Sequence, residues 1–166
     1  MYRLGAFILA AIITAGCSGS GSTIIAVDEQ FGHRYEGTAP DGRETHVIEP
    51  ADSAQSYVVH PAVFDSVHVR PQVPDAPEDV ELGVELLIKG SFPDSCTRLH
   101  AVRQTRSGNI LNLSLDMRRP RAALCASVVR PYRFYYTLDG TFPPGNYTLK
   151  VNDAVRTFTI REPESK

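Results

Sequence analysis

Much that would mark an enzyme is missing from this sequence. There is no G-x-S-x-G elbow, no Walker loop and no dinucleotide-binding fingerprint. Carboxylates do not recur in pairs at a fixed spacing. None of the five histidines, His33, His46, His60, His68 and His100, sits at metal-ligand spacing from another histidine or a carboxylate. By strand alternation His68 and His100 face outward, as ordinary surface histidines do. The three cysteines include no CxxC pair. Basic residues cluster only at Arg118, Arg119 and Arg121, and the formal charge is −2. Nucleic-acid binding needs clustered Lys and Arg, so no nucleic-acid partner is expected. No metal, cofactor or catalytic residue is expected either. A serine–histidine–aspartate site stays open in principle, because its members are neighbours in space and not in sequence.

What is present begins with an address. Arg3 is a short positive flank, Leu4 to Ile13 form an apolar run, and small residues Ala15 and Gly16 precede Cys17. This is the pattern of a secretory leader over 1–16. The run is shorter than the roughly 20 residues a membrane-spanning helix needs. Ser18 to Ser22, SGSGS, has the composition of a flexible tether. The stretch T-A-G-C at 14–17 resembles the bacterial lipobox, with Thr14 where Leu is preferred. The resemblance implies cleavage before Cys17 and lipidation of that cysteine. It also implies a membrane partner reached through N-terminal acyl chains, and two or more chains anchor stably where one does not. By the sorting rule of such lipoproteins, Ser18 implies the outer membrane if the cell is Gram-negative. Loss of Arg3 with the leader takes the basic residues from 17 to 16 against 19 acidic ones, a formal charge of −3.

With Cys17 set aside for lipid, Cys96 and Cys125 remain. Exported chains usually pair such a couple. Two free buried thiols, or half of a metal site, are the alternatives.

Along the rest of the 166 residues the turns are frequent, with 12 Gly and 12 Pro. Residues 17–64 read as a lipidated tether and an irregular lead-in, with at most an edge strand. From 65 to 161 the apolar residues alternate. Val67, Val69 and Val73 start the pattern, and Pro71 limits that strand to an edge. Val80, Leu82, Val84, Leu86 and Ile88 face one way, with Asp79, Glu81, Glu85 and Lys89 opposite, which predicts a half-buried strand broken at Gly90. Ser107-Gly108-Asn109 is a hairpin signal, followed by Leu111, Leu113, Leu115 and Met117 on one face. Arg118 to Arg121 read as a turn around Pro120. Phe134, Tyr136 and Leu138, then Tyr147, Leu149 and Val151, then Phe158 and Ile160, mark the last strands. Asn152-Asp153 is a tight-turn pair. About seven strands with such spacing predict an antiparallel β-sandwich, and 162–166 a short tail.

Three pieces, G-S-F-P-D-S-C at 90–96, R-R-P-R-A-A-L-C at 118–125 and L-D-G-T-F-P-P-G-N-Y-T-L-K-V-N-D at 138–153, resemble a group of exported bacterial modules, mostly uncharacterised. Asp153 stands where the group has Gly. The resemblance implies an immunoglobulin-like sandwich, and no function. Leu138, Pro144, Gly145 and Tyr147 resemble a tyrosine corner, which makes Tyr147 a structural latch. Arg118, Arg119, Arg121 and Tyr135 form the expected partner surface, Tyr135 as an outward strand residue.

The functional expectation is a non-catalytic, lipid-anchored envelope protein whose sandwich binds another envelope protein or a glycan. A loop-based inhibitor of secreted proteases, acting through loops at 90–95 or 139–145, is the alternative. A hydrolase with a site assembled from scattered residues comes third.

Overall fold

The computed structural model describes residues 34–71 and 83–162. The leader, Cys17, the tether, His33, Val73, Val80 and Leu82 lie outside the described residues. Nine strands form two sheets packed face to face: β1 (Glu44–Thr45), β2 (Tyr57–Pro61), β3 (Phe64–Pro71), β4 (Val84–Phe92), β5 (Arg98–Ser107), β6 (Ile110–Pro120), β7 (Arg130–Thr137), β8 (Gly145–Val151) and β9 (Ala154–Ile160). The first sheet runs β1-β7-β4-β3. In the second, β6 is central: β5 pairs along one edge, while β2 and β8 share the other, and β9 follows β8.

The all-β sandwich is as expected, with two more strands than expected and two parallel ladders, β1 with β7 and β6 with β8. Both extra strands come from the segment expected to be irregular. β1 is two residues long and β2 is five and ends on Pro61, too short for either to show a period. β3, which ends on Pro71, is an edge strand as expected.

The core lies between the sheets. Leu111, Leu113, Leu115 and Met117 of β6 alternate inward as read from the sequence, against Leu86, Ile88, Tyr132 and Phe134 of the first sheet. Each such side chain removed from water contributes roughly 1.5–3 kcal/mol before entropy is set against it. The hairpin turns at Gly108-Asn109, with Ser107 opposite Ile110.

Three local expectations change. β4 continues through Gly90 to Phe92 and is buried on both faces, where a half-buried strand broken at Gly90 was expected. A Cβ on Gly90 would stand 2.6 Å from both the Tyr132 hydroxyl and the Val63 carbonyl, so glycine is there to let strands approach. Tyr132 Oη donates to that carbonyl at 2.9 Å. The strand β6 also runs on through Arg118 and Arg119 to Pro120, and the chain turns only afterwards.

Two latches behave as read. Tyr147 Oη donates to Pro143 O at 2.8 Å, the contact of a tyrosine corner. Asn152 turns the chain with φ +47°. Its side chain also fills the gap between β2 and β8 along β6: Oδ1 accepts from Leu115 N at 3.0 Å, and Nδ2 donates to Leu115 O at 3.0 Å.

Candidate functional site

One end of the sandwich collects the polar chemistry. Here β4 ends, β5 begins, β6 ends and β7 begins, joined by the 93–97 turn and the 121–129 segment. Cys96 and Cys125 form a disulfide between these connections, 29 residues apart in sequence, with Cα atoms 5.5 Å apart. The pairing removes the open alternatives of free thiols and of a half metal site. Asp94, Cys96 and Cys125 do place ligand atoms within 4.8 Å of one another, but a metal needs thiolates and these sulfurs are bonded together.

Asp94 organises the turn. Its Oδ1 accepts from Cys96 N at 2.8 Å, Thr97 N at 2.7 Å and Thr97 Oγ1 at 2.9 Å, and its Oδ2 accepts from Arg119 Nε at 2.8 Å. Burial works to raise the carboxyl's pKa. The two backbone donors, the hydroxyl and the guanidinium outweigh it and hold the group at about 2. Sequence reasoning quoted Asp94 only inside a motif. The available signal was an Asp two and three residues before the amides it caps, the arrangement of an Asx turn.

The expected partner surface is not one surface. Arg118 lies in β6, is 6% exposed, and donates from Nη2 to Pro50 O at 3.0 Å with its Cζ 5.3 Å from the Tyr57 ring centre. Arg119 is spent on Asp94. Arg121 is exposed after β6. Tyr135 is on β7 in the other sheet and is 7% exposed, its hydroxyl accepting from Tyr35 N and from Arg133 Nη1, both at 3.3 Å. Alternation placed Tyr135 on the outer face correctly. It could not show that residues before β2 lie over that face.

Beside the disulfide is a polar cleft of about 310 Å³, lined by Glu44, Thr45, His46, Val47, Glu49, Arg98, Leu99 and Arg130. Burial depresses the His46 pKa, as it does that of Arg130, which Arg98 depresses further. His46 meets the Phe92 ring edge-on with centroids 4.9 Å apart. Neither His46, Arg98 nor Arg130 was singled out as a site residue, because β1 brings 44–49 to this end from far away in sequence. At the same end, the 121–129 segment is pinned by Ala126 N donating to Ser95 Oγ at 2.9 Å and by Ser95 N donating to Ala126 O at 3.0 Å. Leu124 projects from it fully exposed, at 103%, and Val129 is 68% exposed.

The loops at 90–95 and 139–145 each bury a phenylalanine, Phe92 and Phe142, while Pro93, Asp139, Gly140, Thr141 and Pro143 are exposed. His68 Nε2 and Ser66 Oγ lie 3.1 Å apart, two residues apart on β3. Among the described residues no carboxylate bonds to that histidine, and it does not line the polar cleft.

Comparison with known proteins bears on this half of the chain. The ORF11 beta-sandwich domain matches residues 86–160. An uncharacterized 10.2 kDa protein in the HgiCIIM 5' region of Herpetosiphon aurantiacus is 30% identical over 77 residues, 46% of this chain and 82% of that protein. A second, in the HgiBIM 5' region of the same organism, is 30% identical over 73 residues, 44% of this chain and 89% of that protein. No solved structure matches. The matched segment spans β5 to β9 and nearly all of β4, and it holds both cysteines of the disulfide. Through this segment the chain belongs to the family of the ORF11 beta-sandwich domain.

Proposed function

We propose that the chain is a non-catalytic, lipid-anchored cell-envelope protein whose sandwich, immunoglobulin-like in this reading, serves as a binding or structural module. The observation that carries this is the partition of cysteines. Cys96 and Cys125 take each other, which leaves Cys17 as the one cysteine of three outside that bond, directly after the small residues of a lipobox-like leader. Persistent disulfides belong to oxidising compartments, which agrees with export. The anchor is the N-terminal lipid, placed at the outer membrane in a Gram-negative cell. The partner is another envelope protein or a glycan, met by the disulfide end.

Fractionation of cells expressing the full chain tests the reading. The wild-type protein is expected in the membrane fraction with incorporated labelled palmitate, and Cys17→Ser in the soluble fraction without it. Palmitate-free wild-type protein, or a Cys17→Ser form that fractionates identically, would overturn the anchor.

A second reading is favoured by Leu124 alone. A fully exposed leucine beside a disulfide, on a segment pinned at Ala126, has the form of a loop offered to the apolar pocket of a secreted protease. Inhibition assays across protease classes test it, with Leu124→Asp as the control. No inhibition by the wild-type chain sinks it.

A further inference from the structure

In the polar cleft at the disulfide end, two guanidinium groups converge on one carbonyl. Arg98 Nη1 donates to Thr97 O at 2.9 Å and to Ser95 O at 2.8 Å. Arg130 Nη2 donates to the same Thr97 O at 2.9 Å, and its Nε to Asp94 O at 3.2 Å. A carbonyl dipole does not neutralise two full charges. Neither arginine forms an ion pair with a carboxylate of the described residues, unlike Arg103, Arg119 and Arg133. Each guanidinium has five N–H donors in a planar fork. The contacts above leave Nε and Nη2 of Arg98 and Nη1 of Arg130 without a hydrogen-bond partner among the described residues. His46 Nε2 in the same wall is buried and has no hydrogen-bond partner among the described residues; Glu44 Oε2 stands 3.5 Å from it.

We propose that Arg98 and Arg130 form a binding site for a carboxylate group on a ligand that enters this cleft. The inference supplies ligand chemistry for the disulfide end and rests on the proposal that this end does the binding. A carboxylate matches the fork of a guanidinium with two parallel hydrogen bonds. It would also place one negative charge between two positive ones that repel each other. Glu44 and Glu49 line the same cleft. They offset the arginines at longer range and so work against a doubly charged phosphate, which makes the cleft selective for a single negative charge. Arg130 is held in place by its contact with the Phe92 ring, Cζ 4.9 Å from the centroid, so its fork is already positioned.

The test is calorimetric and NMR titration of the full chain with sodium acetate, with inorganic phosphate and with chloride, at constant ionic strength. Acetate is expected to bind saturably and more tightly than phosphate, moving the Arg98 and Arg130 side-chain Nε–H signals. Arg130→Lys keeps the charge and loses the fork, and is expected to weaken acetate binding about tenfold, the loss of about 1.4 kcal/mol. Arg98→Gln is expected to do at least as much. Both arginines also hold the 93–97 turn, so Glu49→Gln is the variant that leaves the turn alone. It is expected to tighten acetate binding. Absence of acetate binding, phosphate binding more tightly than acetate, or acetate binding unchanged in Arg98→Gln and Arg130→Lys would each overturn the proposal. Membrane fractionation of Cys17→Ser is read separately, so the anchor and the carboxylate site can fail independently.

Discussion

On the outer face of the first sheet, Glu85, Lys89 and Arg133 are buried, Arg133 completely. On the outer face of the second, Asn112, Ser114, Arg103, Thr105 and Lys150 stand in solvent. The difference comes from residues 34–43, which lead into β1, lie over the first sheet and hold it by charge more than by apolar contact. Lys89 and Arg133 are directly opposite each other on β4 and β7, a like-charge pair that alone would push the strands apart. Asp41 Oδ2 sits on both, 2.9 Å from Arg133 Nη2 and 3.2 Å from Lys89 Nζ. Four residues back along β4, Glu85 pairs with Arg70 at 2.6 Å and with Arg34 at 3.5 Å. The apolar share is small: Leu87 against Tyr135, with Arg34 over the Tyr135 ring. The family match begins at 86, so the covering segment lies outside it. Two buried cations of the matched domain, Lys89 and Arg133, thus take their carboxylate from outside it.

The comparison would break most plainly at Asp41. Asp41→Ala leaves Lys89 and Arg133 buried beside each other with their shared carboxylate gone. Breaking a buried ion pair from one side costs about 3–5 kcal/mol, and the partial exposure of Asp41 puts the expected loss near the lower figure. Urea unfolding at neutral pH measures it. Hydrogen exchange should show the amides of 35–46 losing protection before those of β6. A loss under about 1 kcal/mol would mean that the covered face is held by something other than charge.

This difference explains how much was legible. The alternation of Leu111, Leu113, Leu115 and Met117 reads correctly because β6 has water over one face. In β4 the same alternation sorts Leu86 and Ile88 from Glu85 and Lys89 correctly, yet the inference from polar to exposed fails there. Period two reports the pleat, not what lies over it. The covering segment has no apolar period because it docks through Asp41. A lone aspartate in DEQFGHRYEGTAPDGRETH has no local signal for that. The disulfide and Tyr147 were legible because each rests on local arithmetic or a short motif. The cleft was not, because His46 and Glu49 reach Arg98 and Arg130 only through β1, a two-residue strand.

Acid should sharpen the comparison. Burial works to raise the Asp41 carboxyl's pKa, but hydrogen bonds from Arg133, Arg43 N and Lys89, with the Arg133 charge, bring it from 3.8 down to about 2. A group whose folded pKa is depressed stabilises the fold fully above its unfolded pKa and loses that contribution as pH falls through the folded one. The Asp41 contribution is therefore complete above about pH 4 and lost toward pH 2. Asp94 has the same window at the disulfide end. Stability of the wild-type chain is expected to drop across this range. Asp41→Asn, less stable at neutral pH, should show a shallower drop, so the two curves converge. The effect is smaller than that of Asp41→Ala, because a protonated carboxyl still fills the site. Parallel curves from pH 4 to pH 2 would assign the acid loss to Asp94 and to other carboxylates.

The smallest expected effect lies on the open face. Arg103 Nη2 meets Asp116 Oδ2 at 2.7 Å, shorter than either Asp41 contact, but the Arg103 side chain is 65% exposed. If distance set the energy, this pair would rival Asp41. Solvent sets it instead: water screens the charges, and holding a long side chain in one rotamer costs entropy that nearly offsets the gain. Arg103→Ala is expected to cost about 0.5 kcal/mol in urea unfolding, a cost that disappears in 1 M salt, where the screening length is about 3 Å. The loss in Asp41→Ala should persist at that salt, because ions do not enter between Asp41 and a fully buried Arg133. A salt-resistant loss above about 2 kcal/mol at Arg103 would mean that water does not screen this pair and that the outer face of the second sheet is also covered in the free chain.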